Sequence, residues 1–126
     1  MRLTLEVLPY ALALCRLPAD ALWPDSPAEP FVAVTRTPDE TSIVCDQAST
    51  PPGARVESGW RALRVRGPLA FEVVGVVASV STALANEGVP IFVISTFDTD
   101  YVLVKEQSLE RAISALRLAG HDVTHS

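Results

Sequence analysis

Five consecutive residues, Thr96-Phe97-Asp98-Thr99-Asp100, hold two carboxylates, two threonine hydroxyls and one aromatic ring. Carboxylates and hydroxyls are the natural acceptors for ammonium and guanidinium donors. If the run faces a groove, it can hold the cationic end of a small ligand, and if it faces water, it is an ordinary polar hairpin tip. Asp98 reads equally as a turn-forming Asx residue and Phe97 as a core or interface plug. Asp98 and Asp100 could pair as acid and base. Nothing nearby in sequence supplies a nucleophile, or the apolar burial that would separate their pKa values. His121 and His125 lie near the C-terminus and read as a solvated tail. There is no Cys/His cluster at metal-ligand spacing and no glycine-rich phosphate loop. The expectation is a non-enzymatic protein with no catalytic residues, no metal and no cofactor.

The tip needs elements to hold it. Its flanks, Pro90–Ser95 and Tyr101–Lys105, are rich in β-branched and aromatic residues and read as strands. Upstream, Trp60–Arg66 alternates, with Ala62 and Val65 among Arg61, Arg64 and Arg66, and reads as a strand ending at Gly67-Pro68. Phe71–Glu87 is too long for a strand without a turn signal and reads as a helix. Phe71, Val74, Val77 or Ala78, Ser81, Leu84 and Ala85 form one stripe of it, and Gly75, Ser79, Thr82 and Asn86 a smaller, polar one. So apolar a helix is expected to be covered on more than one side. Glu106–Ala119 is a second helix with Leu109, Ala112, Ile113 and Leu116 inward, and His121–Thr124 a closing strand. The order β-α-β-β-α-β predicts an α+β, ferredoxin-like unit: a four-stranded antiparallel sheet with two helices on one face.

Pro9 to Pro52 holds most of the ten prolines, so short elements and many loops are expected there. Residues 2–8 alternate as a strand, Pro9-Tyr10 turns the chain, and Ala11–Leu17 is a second strand. Pro18–Pro30 holds at most one helical turn, with Trp23 plugging a core edge. Phe31–Arg36 and Thr41–Cys45 are strands, and Asp46–Ser49 reads as one turn of helix. A shift of sixty places lays Phe31–Ser49 on Ile91–Leu109 with polar and apolar character mostly conserved between them. The reading is a tandem: a reduced N-terminal unit over residues 1–58, its helices cut to about a turn, and a full unit over 59–126. The two strands flanking the tip are apolar on nearly every position. They therefore ask for cover on both faces, from the first half or from a second chain.

Composition excludes some partners. The chain has 126 residues, 48% hydrophobic and 20% charged, so it is globular. A net charge of −5 argues against nucleic acid and anionic membranes. No run is long enough to span a membrane and no export signal is visible, so a cytoplasmic protein is expected. Cys15 and Cys45 sit among apolar neighbours and read as small buried hydrophobes rather than a disulfide.

Three segments together resemble a known family: the run STFDTDYVLVKE (Ser95–Glu106), the upstream GWRALRVRGPL with its Val/Ala/Ser-rich helix, and VTRTPDETSIVC in the first half. They are similar to ACT domains, and within them to the branch of the CASTOR-type arginine sensors. The resemblance implies a regulatory module that binds an amino acid at an interface between ACT units. Carried over residue by residue, it implies ligand contacts at Thr96, Phe97, Thr99 and Asp100 on the tip and at Val74 and Gly75 on the helix. The longer sensors hold four units, so a homodimer would restore that number, and a regulated protein partner is implied. The other reading of the same fold is a dimerisation and protein-interaction module with no bound ligand.

Overall fold

A computed structural model describes residues 1–22, 30–67 and 74–126. Trp23 and the head of the expected first helix, from Phe71 to Val73, lie outside the described residues. The elements in chain order are β1 (Thr4–Leu17), β2 (Val32–Arg36), β3 (Thr41–Asp46), β4 (Arg55–Val65), α1 (Val76–Asn86), β5 (Phe92–Ser95), β6 (Asp100–Lys105), a 3-10 turn at Glu106–Ser108, α2 (Leu109–Leu118) and β7 (Asp122–His125). The chain divides into two compact units. One comprises Met1–Pro9 and Arg61–Ser126, the other Tyr10–Trp60.

The first unit keeps the expected order β4-α1-β5-β6-α2-β7, and its α+β class follows. Its sheet differs from the expected four strands. β7 pairs in parallel with the start of β1, from Thr4↔Asp122 to Val7↔His125. β1 in turn neighbours β4, giving the order β7-β1-β4-β6-β5. The cause lies in β1 itself. Its alternating Leu5 and Val7 are both fully buried and enter the same core as Leu63, Val65, Val102, Val104 and Val123. A strand with one fully apolar face is stabilised by a place inside the sheet rather than at its rim. Pro9 does not turn the chain: β1 runs through it, since proline's fixed φ suits extended backbone.

Both helices pack on this core. α2 buries Leu109, Ala112, Ile113 and Leu116, the stripe expected of it, together with Ala115, while Glu110 and Arg117 face out. α1 is phased differently from expectation. It starts at Val76, after Gly75 at φ 84°, and buries Val76, Val80 and Leu84 at i, i+4, i+8. Val77, Ala78, Thr82 and Ala85 are exposed, so among the described residues α1 is covered on one side only.

In the second unit, Leu12–Leu17 of β1 pairs antiparallel with β3, and β3 with β2. A small core of Ala13, Cys15, Ile43 and Cys45 forms between them, with Leu17, Val34 and Ala54 against it. Residues 47–49 form a turn rather than helix, closed by Ser49 N–H to Asp46 O at 3.0 Å. Both cysteines are free and buried. Burial first, and the neighbouring Cys45 second, push the Cys15 thiol up to about 12. Among the described residues no helix is long and apolar enough to cross a membrane.

The two hairpins, β2–β3 and β5–β6, close through loops of one design. The closing pairs are Arg36↔Thr41 and Ser95↔Asp100. In the first loop Thr37 N–H bonds Glu40 O at 2.9 Å, and Glu40 N–H bonds Thr37 Oγ1 at 3.3 Å. In the second, Thr96 N–H bonds Thr99 O at 2.8 Å, and Thr99 N–H bonds Thr96 Oγ1 at 3.3 Å. Thr-Pro-Asp-Glu and Thr-Phe-Asp-Thr thus match at a shift of 59 (36 to 95, 41 to 100), not the sixty places of the sequence alignment. The threonine hydroxyl replaces a backbone acceptor inside each turn, which is why threonine opens both.

Candidate ligand-binding site

β5 and β6 present the tip, and its own hydrogen bonds consume much of its polarity. Thr96 Oγ1 donates to Thr99 O at 3.0 Å while accepting from Thr99 N–H. Thr99 is buried, and its Oγ1 donates to Val65 O at 2.5 Å, tying the tip to the end of β4. Asp100 is half-buried at the first position of β6, where its Oδ1 accepts from Ser95 Oγ at 2.5 Å. Phe97 and Asp98, at the apex, are exposed.

Beside the tip lies a cleft of about 310 Å³, lined by Arg64, Gly67, Thr96, Asp98, Thr99 and Tyr101. The structure thus brings Thr96 and Thr99 of the expected set to one cleft. Phe97, Asp100, Val74 and Gly75 are not among its lining residues. Val74 is 81% exposed, and Gly75 precedes α1 in the left-handed region, its carbonyl accepting Ser79 N–H at 2.8 Å. Among the described residues no side chain caps the first turn of α1.

Arg64, Asp98 and Tyr101 extend the set read from sequence. Arg64 Nη2 meets Glu6 Oε1 at 3.0 Å, yet its Nε–H is buried without an acceptor among the described residues. A buried donor left unpaired costs about 1–3 kcal/mol. The signal for Arg64 was present in the alternation of Trp60–Arg66, which puts it on the opposite face from Leu63 and Val65. For Asp98 the sequence supports two roles, a carboxylate of the tip and a turn-forming residue, and the structure puts it in the cleft lining. Chemically the cleft offers a guanidinium, a carboxylate, a hydroxyl and an aromatic ring. Such a set suits a small molecule bearing both an anionic and a cationic group.

His121 is not in a solvated tail. It is 4% exposed, its Nδ1 accepts Leu3 N–H at 3.0 Å, and its Nε2 lies 3.0 Å from Ser79 Oγ. The accepting Nδ1 fixes the neutral tautomer with the proton on Nε2, pointing at Ser79. Burial first, then the positive N-terminus, lower its pKa, and Asp122 pulls the other way.

Comparison with known proteins locates this geometry. A family model described as the ACT domain matches residues 55–117. The chain is similar to the Rattus norvegicus protein named cytosolic arginine sensor for mTORC1 subunit 1. The two are 34% identical over 102 residues, which cover 75% of this chain and 31% of that protein. The chain therefore spans about a third of the length of such relatives. Among solved structures, an Agobacterium tumefaciens protein matches with a TM-score of 0.92 and 38% identity, covering 100% of this chain and 95% of that one. A Vibrio cholerae protein matches with a TM-score of 0.71 and 20% identity, over 94% and 90% of the two chains, and shows the fold alone.

Proposed function

The chain belongs to the ACT-domain family, and from that membership we propose that it is a non-enzymatic regulatory sensor of an α-amino acid. The observation that carries this reading is the cleft at the tip, where Arg64 and Asp98 stand around one small space. A zwitterion needs donors for its carboxylate and acceptors for its ammonium. Arg64 supplies the first and Asp98 the second, with Thr96 and Tyr101 beside them. Asp100, Phe97, Val74 and Gly75 complete the contacts when a further ACT unit closes the site. In a homodimer that unit comes from the second chain. The matching loops at Thr37 and Thr96 support a tandem of ACT-like units, the first one reduced.

The ligand class follows the relatives' name. Arginine is the first amino acid to test, because mammalian relatives are named as arginine sensors. The setting in that reading is the cytoplasm, and the sensor acts on a protein partner. A binding-linked rise in melting temperature is the expected result of an amino-acid screen, since a ligand of the folded state stabilises it by mass action. No shift with any amino acid would overturn the sensor reading.

A second reading has its own observation. Phe97 is 79% exposed and Val74 81% exposed. Apolar groups so placed suit an interface, and the same fold then serves dimerisation and docking without a small ligand. Substitution of Phe97 by Ser that dissociates a dimer, with no amino acid bound by the parent protein, would favour this reading.

A further inference from the structure

Against a net charge of −5, three guanidinium groups converge on a second cleft, of about 690 Å³. Arg2, Arg66 and Arg117 line it, with Thr4, Asp122 and Thr124. They arrive from three elements whose backbones meet there. Arg66 N–H bonds Thr4 O at 2.8 Å, Thr4 is the register partner of Asp122, and Arg117 Nη2 bonds Val123 O at 2.9 Å. Among the described lining residues the one carboxylate is already engaged: Asp122 takes Arg2 in a two-bond fork, Nε to Oδ2 at 3.1 Å and Nη2 to Oδ1 at 2.9 Å. Among the described residues no carboxylate pairs with Arg66 or Arg117.

We infer that this cleft is a second binding site, for a compact phosphate dianion, either free or carried by a small molecule. Two guanidiniums without a carboxylate line one cleft, and one dianion compensates both. A monocarboxylate would leave one of them uncompensated. Guanidinium forks match phosphate oxygens bidentately, and the hydroxyls of Thr4 and Thr124 add two donors for the remaining oxygens. The site is separate from the amino-acid cleft in its lining residues, so the two readings stand or fall apart.

The test is calorimetric titration of the full chain with inorganic phosphate and with glycerol 3-phosphate, against chloride at matched ionic strength. Binding of either phosphate but not chloride supports the site. Tighter binding of the ester marks a phosphorylated metabolite, and equal binding marks free phosphate. Arg66→Gln, an exposed change, should weaken the binding about tenfold or more, the loss of one charge-assisted contact. Arg111→Gln, outside the cleft, and Asp98→Asn, in the other one, should leave it unchanged. Absence of phosphate binding, an equal response to chloride, or full binding by Arg66→Gln would each overturn the inference.

Discussion

Thr99 Oγ1 donates to Val65 O at 2.5 Å, so one of the hydroxyls lining the candidate cleft is a structural bond between the hairpin tip and β4. Thr99→Val would remove this bond, at about 0.5–1.5 kcal/mol. Thermal unfolding should show a melting temperature lower by several degrees. Thr99→Ser keeps the hydroxyl and should recover most of the loss. Equal stability of the parent and the valine variant would mean that the bond contributes nothing.

Ser79 and His121 define a pH window. The folded state holds His121 neutral, because protonation at Nδ1 would remove the acceptor of Leu3 N–H. Its pKa is lowered, so below the unfolded value of about 6.5 the unfolded chain binds a proton that the folded chain refuses. The contribution is fully present above about pH 6.5 and is lost as pH falls from there towards the folded pKa. The N-terminus, which lowers the pKa, and Asp122, which raises it, share in that balance. Chemical denaturation at pH 7.5 and 5.5 should show lower stability at the acid end. In His121→Asn the fall should be smaller than in the parent. A fall of the same size in both would remove His121 as the cause.

Cys15, with its thiol pushed up to about 12, holds almost no thiolate at neutral pH. Labelling by a thiol reagent should be slow in the native protein and fast in denaturant. Rapid labelling of native Cys15 would contradict the burial of that core.

Gly75 takes φ 84°, and a Cβ built there would meet nothing within 4 Å. Gly75→Ala should therefore cost only the left-handed backbone penalty, about 1–2 kcal/mol, seen in the denaturation midpoint. A neutral substitution would show that the N-terminal end of α1 relaxes to another conformation.

How much of this was legible depends on the range of each contact. The Leu109, Ala112, Ile113, Leu116 stripe repeats every turn of one helix, so local periodicity reveals it. The stripe of α1 was misphased because its valines and alanines are apolar on every side, and Gly75 sets the start. The insertion of β1 between β4 and β7 had no local signal, since Thr4 and Asp122 meet only in the folded chain. The burial of His121 rests on Leu3 and Ser79, equally distant in sequence. At the site, Thr96 and Thr99 could be read from their loop, whereas Arg64 joins it from another strand.

The claim on which the functional account rests is that the cleft between Arg64 and Asp98 takes an α-amino acid. Isothermal titration of the protein with arginine, and then with each other proteinogenic amino acid, tests it most directly. The account predicts saturable binding of at least one, weakened about tenfold or more by Asp98→Asn through loss of a charge-assisted contact. Binding of none, or binding that Asp98→Asn leaves unchanged, would contradict it.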